Sequence, residues 1–122
     1  MGKYVVKKVN TGFVFSLKAG NNEVIGVSEV YSTKAACHNG IASVTENAPV
    51  AAISDTTDDE AAQAKHPKFE IFLDKAKEFR FNLTAANGKV ILSSEAYKQK
   101  GGCMKGIESV KANAASPTVE EN

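Results

Sequence analysis

Phe13-Val14-Phe15-Ser16-Leu17-Lys18-Ala19 returns as Phe79-Arg80-Phe81-Asn82-Leu83-Thr84-Ala85, and the architecture follows from that return. Extended without gaps over residues 13–48 and 79–114, the two segments share 18 of 36 positions. The chain is a tandem repeat, and a repeat fixes architecture before any other feature. In the quoted stretch Phe13, Phe15 and Leu17 alternate with Val14, Ser16 and Lys18, as Phe79, Phe81 and Leu83 do with their neighbours. Period-two alternation puts the large apolar groups on one face of a strand.

Upstream, Tyr4 and Val6, and in the second copy Phe69, Ile71 and Leu73, continue the pattern into a preceding strand. The turn between these strands is one residue longer in the second copy. Downstream, Asn21-Asn22 and Asn87-Gly88 predict two-residue type I′ hairpins, because both central residues of such a turn need positive φ. A Val/Ile-rich third strand follows over 23–28 and 89–94. Past Tyr31 and Tyr97 the period changes. Cys37, Gly40, Ile41, Val44 and Ala48 fall on one helical stripe, and Cys103, Gly106, Ile107, Val110 and Ala114 repeat it. Ser32 is the expected cap of the first helix. Pro49 and Pro117 stop the helices, and short apolar pieces over 50–53 and 118–119 predict fourth strands.

A repeat of about 50 residues buries too little surface to be comfortably stable alone. The expectation is an α+β fold in which two β-β-β-α-β repeats form one pseudo-twofold unit. It has a single antiparallel sheet with both helices on one face. Repeat 1 spans residues 1–53, an acidic connector 54–66, and repeat 2 residues 67–122.

The pattern Phe-x-Phe-x-Leu, an Asn-Gly turn, Val-Ile, Ser-Glu-x-Tyr and Gly-Ile-x-Ser-Val resembles the bacterial YegP-like family. It is carried here by Phe79-Arg80-Phe81-Asn82-Leu83, Asn87-Gly88, Val90-Ile91, Ser94-Glu95-Ala96-Tyr97 and Gly106-Ile107-Glu108-Ser109-Val110. The first copy departs at Asn22, Gly26 and Val27. The resemblance implies two three-strand–helix–strand units that join one sheet and exchange their last strands. It implies no chemistry, since the family's members are mostly of unknown function.

Composition excludes several classes. Hydrophobic content of 43% and charged content of 24% are ordinary for a globular chain. No apolar run approaches the roughly 20 residues of a membrane span, and the start of the chain lacks the apolar stretch of a secretory signal. Two cysteines predict a cytoplasmic protein with reduced thiols. The net charge of +1 combines mildly basic repeats with an acidic connector and tail. That is far from the balance of a nucleic-acid domain.

Three constellations carry what chemistry there is. Ser28, Glu29 and Tyr31, with Ser94, Glu95 and Tyr97, are candidate ligand-binding residues at two strand-to-helix corners. Their structural role is the expectation: glutamates near backbone N–H groups and helix starts, tyrosines covering the core edge. Cys37 and Cys103 sit on the apolar stripes, so buried packing is expected, with a redox pair as the sharper alternative. Lys7, Lys18, Arg80 and Lys89 define a candidate basic sheet face for nucleic acid, against a plain solvated surface. No catalytic set, metal or cofactor is predicted: Cys37 and His38 point about 100° apart on a helix, and no four-ligand pattern exists. The functional reading is a small, monomeric, non-enzymatic binding or stress-associated accessory module with unknown partners. A weak nucleic-acid binder and an enzyme or ligand site at the Ser-Glu-x-Tyr corners are the alternatives.

Overall fold

The structure, a computed structural model, describes residues 2–58, 64–116 and 118–121. Part of the expected connector and Pro117 therefore lie outside the described residues. Strands β1 (Lys3–Val9), β2 (Gly12–Lys18) and β3 (Val24–Val27) lead into helix α1 (Lys34–Asn47) and strand β4 (Ala52–Asp55). The second copy follows with β5 (Lys68–Leu73), β6 (Phe79–Thr84), β7 (Val90–Ser93), α2 (Lys100–Asn113) and β8 (Val119–Glu121).

All eight strands share one sheet in the order β4-β5-β6-β7-β3-β2-β1-β8. Read from either edge, the order is the same once copy numbers are exchanged. Each last strand has crossed over: β4 pairs with β5 of the second copy and β8 with β1 of the first. Both of these pairings are parallel, so the sheet is mixed rather than wholly antiparallel. The physical reason is the intervening helix, a crossover long enough to return the chain in the same direction. The last strands also start later than expected, β4 at Ala52 and β8 at Val119.

Register fixes the faces. Ser16 lies opposite Val27, Val27 opposite Ser93, and Ser93 opposite Asn82 across β2, β3, β7 and β6. Those four share one face, so Phe15 and Phe81, each one residue away, share the other. Each helix sits over that second face. Gly40 of α1 lies against Phe15 and Tyr31, and Gly106 of α2 against Phe81 and Tyr97. Buried residues of both copies form one cluster that includes Tyr4, Phe15, Leu17, Phe69, Phe81, Leu83, Val44 and Val110. Each fully buried phenylalanine is worth about 1.5–3 kcal/mol. Helices also cross copies: α1 touches β2 and β7, and α2 touches β6 and β3.

Local detail departs from the sequence reading in three places. First, the hairpins after β2 and β6 are not two-residue turns. The Ala19 carbonyl accepts from Asn22 N–H at 2.9 Å, and Asn22 at φ 73° is the left-handed residue; Ala85 and Gly88 (φ 86°) repeat this. A three-residue loop ending in a left-handed residue gives the strands the same twist. Second, both copies carry a bulge, between Leu17/Lys18 and Leu83/Thr84. It sends Ile25 and Gly26 together, and Ile91 and Leu92 together, into the buried side. Third, the cap of α1 is Thr33, whose Oγ1 accepts from Ala36 N–H at 3.0 Å, rather than Ser32. The α2 cap, Gln99, makes no side-chain capping bond.

Polar contacts fasten the copies together. Gly2 N–H donates to Asn113 Oδ1 at 2.7 Å, Tyr4 Oη donates to the Ala114 carbonyl at 2.6 Å, and Lys111 Nζ to that of Ala51 at 2.8 Å. The first residue of each helix reaches the exchanged strand of the other copy: Lys100 Nζ lies 2.7 Å from Asp55, and Lys34 Nζ 3.7 Å from Glu121. Burial works against the Asp55 charge, but hydrogen bonds from Lys100 and Thr57 outweigh it and hold this carboxyl below its usual range. A lowered native value means stability gained above the unfolded-state value and lost as pH falls through the native one. Asp55→Asn is therefore expected to lower the urea midpoint at pH 7 and to match the parent protein near pH 2. An equal deficit at both pH values would show that the ionised form contributes nothing.

Candidate functional site

The two Ser-Glu-x-Tyr corners converge where the copies meet. β3 and β7 pair only at Val27 and Ser93 before diverging, so each corner segment runs beside the third strand of the other copy. On the face opposite the helices, this junction opens into a groove of about 510 Å³. Val24, Val27 and Val90 form its apolar floor, 41%, 41% and 37% exposed. Ser28, Glu29, Ser94 and Glu95 line it from the two corners, together with Arg80 and Ser93. Four of the six residues expected at two separate corners, Ser28, Glu29, Ser94 and Glu95, thus border one opening, and Tyr31 and Tyr97 do not.

Within the corners the roles divide. Ser28 Oγ accepts from Phe15 N–H at 2.9 Å and donates to the Glu29 carbonyl at 2.7 Å; Ser94 does the same with Phe81 and Glu95, at 2.9 and 2.8 Å. These hydroxyls replace a ladder acceptor where the chain leaves the sheet. The tie to backbone expected of the glutamates is made by the serines that precede them. Tyr31 and Tyr97 pair through their backbones with Phe13 and Phe79, and their rings cover Gly40 and Gly106. Burial pushes both phenols up, helped by Glu29 at Tyr31 and Glu95 at Tyr97.

Glu29 and Glu95 remain exposed, and they differ. Glu29 Oε1 lies 3.2 Å from Lys89 Nζ, whereas no ion pair engages Glu95 among the described residues. Glu95 also lines a second, smaller recess of about 250 Å³ on the helix side, with Glu23, Tyr97, Lys105 and Ser109.

The remaining candidates are dispersed. Of the four basic residues, Arg80 is held by Asp74 at 2.8 Å and Lys89 by Glu29; Lys7 and Lys18 lie toward the other end of the sheet, on β1 and β2. Cys37 and Cys103 are free and fully buried. Burial raises both thiols, and Cys103, beside Asp55, is pushed up to about 11. Glu121 of β8 acts on Cys37 and Asp55 of β4 on Cys103, so each thiol belongs with a different edge of the sheet. In the native protein neither thiol is expected to react with an aromatic disulfide reagent at pH 8 within minutes, and both should react in denaturant. A native thiol titrating at the rate of free cysteine would contradict this burial. His38 pairs with Glu121 at 3.0 Å and His66 with Thr84 at 2.7 Å, and no group of three metal-ligating side chains forms among the described residues. No helix is long and apolar enough to cross a membrane.

Sequence reasoning found the corner residues by their repetition. It missed Val24, Val27 and Val90: a bulge turns Val24 and Val90 to this face, and Val27 shares it opposite Ser16, which only the strand register reveals.

Comparison with known proteins agrees with this description. A domain family of unknown function, DUF1508, matches residues 9–55 and 74–121, once per copy. The UPF0339 protein YegP of Escherichia coli O157:H7 is 39% identical over 116 residues, covering 95% of this chain and 92% of that protein. A UPF0339 protein of Acinetobacter baylyi is 39% identical over 121 residues, covering 98% and 96%. Among solved structures, the solution NMR structure of E. coli yegP, a protein of unknown function, superposes with a TM-score of 0.81 at 37% identity, covering 99% of this chain and 92% of that one. The solution structure of a UPF0339 protein from Shewanella oneidensis gives 0.80 at 33% identity, covering 98% and 90%.

Proposed function

The chain belongs to the DUF1508 family of unknown function, and from that premise we propose that it is a non-enzymatic binding module whose ligand lies in the groove between the copies. The observation that carries this reading is the groove itself: a valine floor with polar walls, built from equivalent residues of both copies. Its volume falls in the range of small-molecule sites, and a mostly apolar lining with a few fixed polar groups suits them. The occupant is a small organic molecule with an apolar body, seated on Val24, Val27 and Val90. Glu95, free of any ion pair among the described residues, favours a positive group at one end.

A hydrolytic role gains no support from the corners, because both serine hydroxyls are already engaged in donating and accepting. A polyanion on the same face gains little either, since Arg80 and Lys89 are neutralised by carboxylates. Two buried thiols suit a reducing compartment, and the reading takes the protein as a cytoplasmic monomer.

A ligand-library thermal-shift screen followed by methyl NMR tests the proposal. Stabilising ligands should move the methyl signals of Val24, Val27 and Val90, and Val27→Asp should abolish the effect while leaving the fold intact. Stabilising ligands that leave these methyls unmoved would overturn it, as would the absence of any stabilising ligand.

A further inference from the structure

The two corners share Ser-Glu-x-Tyr but differ in the charges set around it. With the constant offset of the repeat, Glu29 corresponds to Glu95, Tyr31 to Tyr97 and Lys89 to Glu23. At the first corner the Lys89 ammonium sits 3.2 Å from Glu29. At the second, the residue that would supply the ammonium is a carboxylate, and in place of an ion pair there is the recess of about 250 Å³ between β3 and α2. The Glu23 side chain turns to its own turn, 3.4 Å from Asn21 Nδ2, and the Glu95 carboxylate has no partner among the described residues. Lys105 is the one cation in the lining, against two carboxylates. The recess therefore keeps a negative balance that the first corner lacks.

We propose that this recess binds the primary ammonium group of a small aliphatic amine, placed on Glu95 as Lys89 is placed on Glu29. Three observations converge: the opening, a carboxylate unpaired among the described residues, and the equivalent corner already occupied by an alkylammonium from the chain itself. Tyr97 supplies an aromatic wall, and an aromatic ring beside a cation adds to its retention. The volume, against the roughly 30 Å³ that one water takes in the liquid, admits a few methylenes beyond the ammonium. This site lies on the helix side of the sheet and shares Val24 and Glu95 with the groove above.

The test is a ¹⁵N NMR titration of the full chain with 1,4-diaminobutane, with 1-butanol as the uncharged control. The diamine should give saturable shifts at residues 23, 95, 97 and 105, and the alcohol none there. Glu23→Lys recreates the ion pair of the first corner, so it should keep a native spectrum and weaken diamine binding at least tenfold. Glu95→Gln should weaken it comparably, and Lys89→Glu should open a second site around residues 29 and 31. No saturable shift at millimolar diamine overturns the inference, and so does equal binding by the parent protein and Glu23→Lys. Ligand-induced shifts of the Val27 and Val90 methyls, which line the groove and not the recess, read the other face independently. Their persistence without diamine binding would sink this site alone.

Discussion

Substituting leucine for Gly106 is expected to cost at least about 3 kcal/mol, a large share of the roughly 5–15 kcal/mol that keeps a domain folded. The reason is a tyrosine laid across a helix backbone. A Cβ at position 106 would stand 2.5 Å from Tyr97 Oη, 2.9 Å from its Cζ and 3.1 Å from Phe81 Cε2. Tyr97 cannot back away freely, because its N–H and carbonyl both pair with Phe79, at 2.7 and 2.8 Å. Gly40 meets Tyr31 and Phe15 in the same arrangement, so Gly40→Leu should be equally damaging. Two comparisons separate this lock from the general cost of altering a helix. At Gly101, in the same helix, a Cβ would meet nothing within 4 Å. Gly101→Ala should therefore be neutral or stabilising by up to about 1 kcal/mol. Gly106→Ala should be less costly in a Tyr97→Leu background than in the parent, a coupling visible in a double-mutant cycle of denaturation free energies. Additive effects would remove the lock from the account.

How far the sequence reached is clearest at these glycines. Two glycines on the buried stripe of a helix, where glycine is otherwise unfavourable, are legible in the sequence at equivalent positions, and the tyrosines retained in both copies are their partners. The alternation of β2 and β6 was equally plain, since apolar period two has few other readings. What escaped depends on relations that single positions do not carry. Ser32 and Thr33 are both competent caps, and docking of the helix selects between them. The turn after β2 was misjudged because Asn-Asn and Asn-Gly suit either a two-residue or a three-residue loop, and the bulge at Leu17/Lys18 settles which one closes the hairpin. Parallel edges follow from strand exchange, which the family resemblance implied and no local pattern announces. At the site, repetition marked Ser28 and Ser94 although their hydroxyls serve the backbone. The exchange of Lys89 for Glu23 stood among many differences between the copies, and only its location opposite Glu95 singles it out.

Splitting the chain is expected to have the largest effect of all. Residues 1–63 contain β1 to β4, yet β4 has no partner within its own copy, because it pairs with β5. Residues 64–122 have the same defect, with β8 paired to β1. Each half would also lose the helix crossings, the Tyr4–Ala114 and Gly2–Asn113 hydrogen bonds and the Lys100–Asp55 pair. Half a core of this size does not offset the conformational entropy of ordering some 60 residues. The decisive measurement is sedimentation combined with ¹⁵N NMR on the two halves, alone and mixed. Neither half should give a folded monomer, and mixing should produce a one-to-one complex with the dispersed spectrum of the intact chain. A half that sediments as a monomer with native-like dispersion and cooperative unfolding would contradict the shared core.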